Sequence, residues 1–150
     1  MAKFKYRMQN ILDIKYKLEE QAKTEFMLAN QKLQEEEEKL ELLKQRKFGY
    51  EEAVRQLLKN HLQVDRIREN QDAVVRMDEF IFTQMVCVKD AQRQVEIKAA
   101  KLREVMQERK AQEKLKERSF ENFLQEENAK ESKEIDELVS FTYGKRRREE

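Results

Sequence analysis

Few side chains in this sequence could do chemistry, and they do not form a group. His61 is the one histidine and Cys87 the one cysteine, so neither a histidine-rich metal site nor a thiolate cluster can be assembled. Gly49 and Gly144 are the only glycines, which leaves no glycine-rich loop to cradle a phosphate. Glu35, Glu36, Glu37 and Glu38 are consecutive, and on a helix consecutive side chains point around the axis instead of converging as metal ligands would. They read as a solvated face, with Glu35 to Lys39 at a compensating spacing. The other carboxylates are scattered, and catalysis needs polar groups gathered in a sheltered concavity. The chain reads as a non-enzyme, with no cofactor and no metal.

The elements that would carry these residues are helices. Of 150 residues 42% are charged, with two glycines, no proline and no tryptophan, and a compact fold of this length would need many more turn formers. Abundant Glu, Lys, Gln, Leu, Ala and Arg favours long exposed helices. Basic and acidic residues, 32 and 31, nearly cancel to a net charge of +1, so nothing global draws the chain to nucleic acid or anionic lipid. The most apolar run, Phe80 to Val88, is far shorter than the roughly 20 residues that span a bilayer. Asp13, Lys15 and Lys17 interrupt any signal-peptide core at the start. A cytoplasmic protein without direct membrane insertion is expected, and a lone Cys87 suits a reducing compartment.

Apolar residues recur at steps of three and four from Phe26 through Ala29, Leu33, Leu40, Leu43, Tyr50, Val54 and Leu57 to Val64. Glu36, Lys47 and His61 fill the remaining positions, His61 as a polar, register-setting core residue. Such a seam is buried by winding around another helix. An earlier seam at Phe4, Met8, Ile11, Leu18 and Ala22 leads into it through a four-residue stutter. Gly49 marks a close approach or a local kink. Polar residues crowd from Asp65 to Asp72, where Asn70 and Asp72 could cap a new helix, so the chain is expected to reverse at about 69–72. The pattern resumes at Val74, Met77, Ile81, Val88, Ala91, Val95, Leu102 and Val105, with Gln84 and Lys98 in polar slots. It weakens at Ala111 and Leu115, shifts phase at Phe120, Phe123 and Leu124, and recovers at Ile135, Leu138 and Val139.

The expected fold is all-α, a long two-stranded antiparallel coiled-coil hairpin. It would be a single elongated unit over 1–150: arm one at 3–68, turn at 69–72, arm two at 73–141 and a basic tail at 144–150. Each arm would reach on the order of 100 Å, with Phe4 near Phe141 and both termini at one tip. There Phe4, Tyr6, Met8, Ile11 and Leu12 interleave with Lys3, Lys5 and Arg7, and Phe141 and Tyr143 precede Lys145, Arg146, Arg147 and Arg148. Such a tip could dock in an acidic protein socket with aromatic anchors and a basic rim. A frayed solvated tail is the plainer alternative. A basic-zipper reader of DNA would place its basic helix before the zipper, not after it.

The opening Phe4-Lys5-Tyr6-Arg7-Met8-Gln9-Asn10-Ile11-Leu12-Asp13 resembles the start of FliJ-type flagellar export proteins, with Met8 where leucine is usual. Lys15, Leu18, Glu19, Glu20 and Ala22 continue the likeness. The segment Arg109 to Arg118 around Lys114-Leu115 is similar to that family's charged segment, and Ile135-Asp136-Glu137 to its ending. The resemblance implies a stalk-like hairpin of the bacterial type III export apparatus. Its terminal end would meet the export ATPase FliI, another surface would meet the export gate protein FlhA, and export chaperones would be further partners. It would sit peripherally at the inner face of the flagellar base. By this resemblance the ATPase-facing residues are Phe4, Tyr6, Met8, Ile11, Lys114, Leu115, Lys116 and Arg118, joined by Arg146 and Arg147 of the basic tip. Leu43, Tyr50 and Phe80 are the residues assigned to the gate. The competing reading is a structural or adaptor coiled coil, perhaps homodimeric, with no ATPase partner.

Overall fold

The computed structural model describes residues 2–60 and 63–149. Two helices account for almost all of them, α1 over Gln9–Lys59 and α2 over Val64–Glu149, and no strand occurs among the described residues. The all-α antiparallel hairpin inferred from the seam is found. His61 lies outside the described residues, and so does the role expected for it.

The reversal is earlier than expected. Residues 69–72 are helical, and the break in the described chain follows Lys59. Its local signals are modest. Lys59 stands in the last turn of α1 and Asp65 in the first turn of α2, each with the charge sign that complements its helix dipole. The Gln63 carbonyl accepts from the Ile67 amide at 3.0 Å, as a residue just outside a helix does. Asn70, expected as a cap, instead donates its side-chain amide to the Arg66 carbonyl one turn back, at 2.9 Å. The polar crowd at 65–72 is an exposed helix face, which short-range composition does not distinguish from a turn. Val64, read as the end of the first seam, opens α2. An earlier reversal also lowers every partner number on α2, so Phe4 meets Phe120 and Phe123, with ring centroids at 5.2 and 5.4 Å, and not Phe141.

The chain groups into two compact units, here named for their place in the sequence: a terminal unit, Met1–Glu19 with Val105–Glu150, and a middle unit, Glu20–Glu104. In the middle unit the seam is the expected one except at Tyr50, which is exposed. Ala22, Phe26, Ala29, Leu33, Glu36, Leu40, Leu43, Lys47, Val54 and Leu57 of α1 are buried or half-buried, as are Val74, Met77, Ile81, Gln84, Val88, Ala91, Val95, Lys98 and Leu102 of α2. Lys98 meets Glu25 at 3.3 Å and Lys47 meets Asp78 at 2.7 Å, partners whose numbers run in opposite directions, as antiparallel helices require. Gly49 is helical with nothing within 4 Å of where a Cβ would lie. Close approach is therefore not its reason.

The terminal unit departs from the sequence reading. Buried and half-buried positions on α1 step from Leu12 to Lys15 and Glu19, and along the same helix Ala22 and Phe26 follow in threes and fours with no stutter. Ile11 and Leu18, read as seam, are exposed beside it. On α2 the seam likewise continues without a phase shift through Val105, Arg109, Gln112, Lys116, Ser119 and Phe123, while Leu115 stays exposed. Polar side chains occupy the positions at which apolar ones were sought. Beyond Glu127 every described residue of α2 is exposed, and the helix runs to Glu149, so the basic segment is helical and solvated.

Candidate functional site

No group of three or more His, Cys, Asp or Glu residues is placed to hold a metal ion among the described residues. No helix among them is long and apolar enough to cross a membrane. What the molecule offers is surface, and it is most distinctive in the terminal unit.

The seam of that unit is organised by an ionic cluster. Glu19 is only 5% exposed, and Arg109 clasps it with two bonds, Nε to Oε2 at 2.7 Å and Nη2 to Oε1 at 3.2 Å. Arg109 Nη1 also reaches Glu113 at 3.0 Å, and the Tyr16 hydroxyl donates to the other Glu113 oxygen at 2.5 Å. A forked guanidinium matches a carboxylate geometrically, which fixes orientation as well as adding energy. Hydrogen bonding to Glu19, and next to Glu113, raises the Arg109 pKa further above its usual range. The bonds from Tyr16 and then Arg109 lower that of Glu113. Lys15 adds a pair to Glu108 at 2.8 Å. Leu12, 1% exposed, is the one large side chain fully buried among the described residues.

Phe4 caps this cluster on the chain-terminal side by packing on Phe120 and Phe123, and the Tyr6 hydroxyl donates to Gln112 at 3.1 Å. Phe4, Tyr6 and Lys116 are therefore brought together, along an open groove that Lys5 and Gln9 also line. Met8, Ile11 and Leu115 remain exposed, as do Lys114 and Arg118. Ile11, Leu18 and Leu115 each stand one step before a seam position. In an antiparallel pair such positions share a flank, so three apolar side chains border one side while Tyr16 and Glu113 border the other. Arg146 and Arg147 are not brought to this place. They lie some seven turns, about 40 Å of helix, beyond Phe120.

The terminal unit thus buries charged groups beside Leu12 and Val105 and leaves further apolar side chains outward, a surface suited to a protein partner. A model of the flagellar FliJ protein family matches residues 4–148. The chain belongs to the flagellar FliJ protein family. It is a FliJ-type export protein. A solved structure from Chlamydia trachomatis, described as that of a candidate YscO homolog, CT670, is similar in fold. Its TM-score is 0.77 at 19% identity, covering 99% of this chain and 100% of that one. Among curated proteins none matches the sequence.

In the middle unit of this FliJ-family chain, the residues assigned to the gate separate. Leu43 is half-buried in the seam, whereas Tyr50 and Phe80 are exposed. Sequence reasoning missed a further exposed set on α2, namely Val75, Phe82 and Val86, with Phe82 71% exposed. For Phe82 and Val86 the signal was present in the run from Phe80 to Val88, which has more apolar residues than a seam can bury. A second polar seam site lies nearby. Glu36, 6% exposed, pairs with Lys32 at 2.9 Å and accepts from Gln84 of α2 at 2.5 Å. Those two bonds, Lys32 first, hold its pKa down at about 2.

Proposed function

We propose that this FliJ-family hairpin couples the export ATPase ring to the export gate, acting by contact and doing no chemistry of its own. The observation that supports this most is the exposed apolar flank of the terminal unit. Ile11, Leu18 and Leu115 are held outward on one flank, with Lys114 and Arg118 exposed on the same helix as Leu115, while the Glu19–Arg109 fork occupies the adjacent seam. An apolar patch with a basic rim suits an acidic socket, and an asymmetric element in a ring can favour one subunit conformation over another. Phe4 and Tyr6 serve by fixing the start of the chain against α2, while Met8 and Ile11 make the contact. Arg146 and Arg147 engage the ATPase separately, further along α2.

The gate is assigned to the exposed apolar face of the middle unit around Phe80, with Tyr50 beside it; Leu43 acts through packing. Export chaperones are proposed to share this face. The protein would act in the cytoplasm, peripherally at the flagellar base.

The test is ATP turnover by the cognate ATPase with increasing amounts of the protein. Turnover is expected to rise, and Ile11→Glu with Leu115→Glu is expected to remove the rise with helicity unchanged. No stimulation by the native protein at saturation would remove the coupling reading. Retention of only the protein itself in a pull-down would return it to an adaptor coiled coil.

A further inference from the structure

We propose that the last turns of α2, from Glu126 to Arg148, form an antiparallel pair with the same segment of a second copy of the chain. This goes beyond the ATPase reading and does not depend on it. Phe4 packs on Phe120 and Phe123 of α2, and Glu127 is the last half-buried residue among those described. From Asn128 onward every described residue is exposed. Ile135, Leu138 and Val139 nevertheless recur with Thr142 at steps of three and four, the spacing of one helix face. They are 60%, 65% and 57% exposed. Helices this polar and unpartnered gain little stability alone, and packing an apolar face is the usual source of it.

The charges select the occupant. Before the apolar face stand Glu126, Glu127, Glu131 and Glu134 against Lys130 and Lys133, an acidic block that Asp136 and Glu137 extend between Ile135 and Leu138. After it stand Lys145, Arg146, Arg147 and Arg148 against Glu149, a basic block. Two parallel copies would set like on like. Two antiparallel copies set each acidic block against a basic one about a two-fold axis near Leu138 and Val139. Ile135 then faces Thr142, and Glu131 comes near Arg146. The patch is self-complementary, as an isologous interface requires, and the helix dipoles oppose favourably. Some 34 Å of paired helix falls in the small, transient interface class, below about 1,200 Å². The association is therefore weak and reversible, and it covers Arg146 and Arg147 while it lasts.

Sedimentation of the full chain over a concentration series tests this. A monomer–dimer equilibrium is expected, weakening as salt shortens the Debye length from about 10 Å to about 3 Å. Leu138→Glu should weaken it by about tenfold or more by placing charge at the axis. A chain with Arg146, Arg147 and Arg148→Glu should be monomeric alone. So should one with Glu127, Glu131 and Glu134→Lys, while mixing the two restores the dimer. Direction is read by oxidative cross-linking in a Cys87→Ser background, where Glu131→Cys should link to Arg146→Cys. Unchanged circular dichroism keeps these variants interpretable. A monomer at every concentration, a dimer indifferent to Leu138→Glu, failure of the mixed variants to associate, or Glu131→Cys linking to itself would each overturn the proposal.

Discussion

The middle and terminal units use the same seven-residue geometry with opposite chemistry. Along the middle unit the seam is mainly apolar, and polar members such as Glu36 and Lys47 are isolated and find partners close by, in Gln84 and Asp78. In the terminal unit Lys15, Glu19, Arg109, Gln112 and Lys116 occupy consecutive seam positions, and apolar side chains are displaced to the flank. A buried ionic pair contributes less net stability than a hydrophobic contact of similar volume, but it is demanding in geometry. The difference teaches that the terminal unit is built for register and presentation, and the middle unit for packing.

The largest effect separating the units should follow loss of the terminal anchor. Leu12→Ala is expected to cost about 2–5 kcal/mol, read as faster amide exchange over 9–19 and 105–116 while the middle unit keeps its protection. Uniform loss across both would mean that they open together.

Next in size is Arg109→Ala, which leaves Glu19 buried without its fork and should lower the thermal midpoint clearly. Glu19→Leu with Arg109→Leu should recover that midpoint or exceed it, because two apolar side chains need no desolvation of charge. If the double variant is as unstable as the single, the cluster supplies net stability and the contrast between the units fails.

Acid sharpens the comparison from the other side. The Glu36 pKa is lowered from 4.5 to about 2 in the folded chain, so its contribution is fully present above pH 4.5 and is lost as pH falls toward 2. Glu36→Gln should flatten the stability of the middle unit through that window, followed by circular dichroism during acid titration. A variant with the native slope would assign the acid response to other carboxylates.

The smallest effect is a gain. Gly49→Ala meets open space on a helix and should stabilise the middle unit by about 0.5–1 kcal/mol, read in denaturant midpoint. A loss there would show that the glycine serves a bend.

The sequence by itself determined helicity, the two-stranded plan and the middle seam, because a three-and-four spacing of Phe26, Leu33, Leu40 and their partners has one economical burial. Family membership was also readable, from the opening segment and the charged stretch around Leu115. Only the tertiary structure decided that Glu19 and Arg109, not Leu18 and Leu115, lie in the terminal seam. Hydrophobicity ranks residues singly, whereas a carboxylate and a guanidinium are buried as a pair that no single-residue pattern reveals. It also decided the reversal after Lys59, which carries no glycine or proline to announce it, and with that every pairing of α1 with α2. The physical reason is common to both. Periodicity is a property of one helix, while register and polar pairing are properties of two.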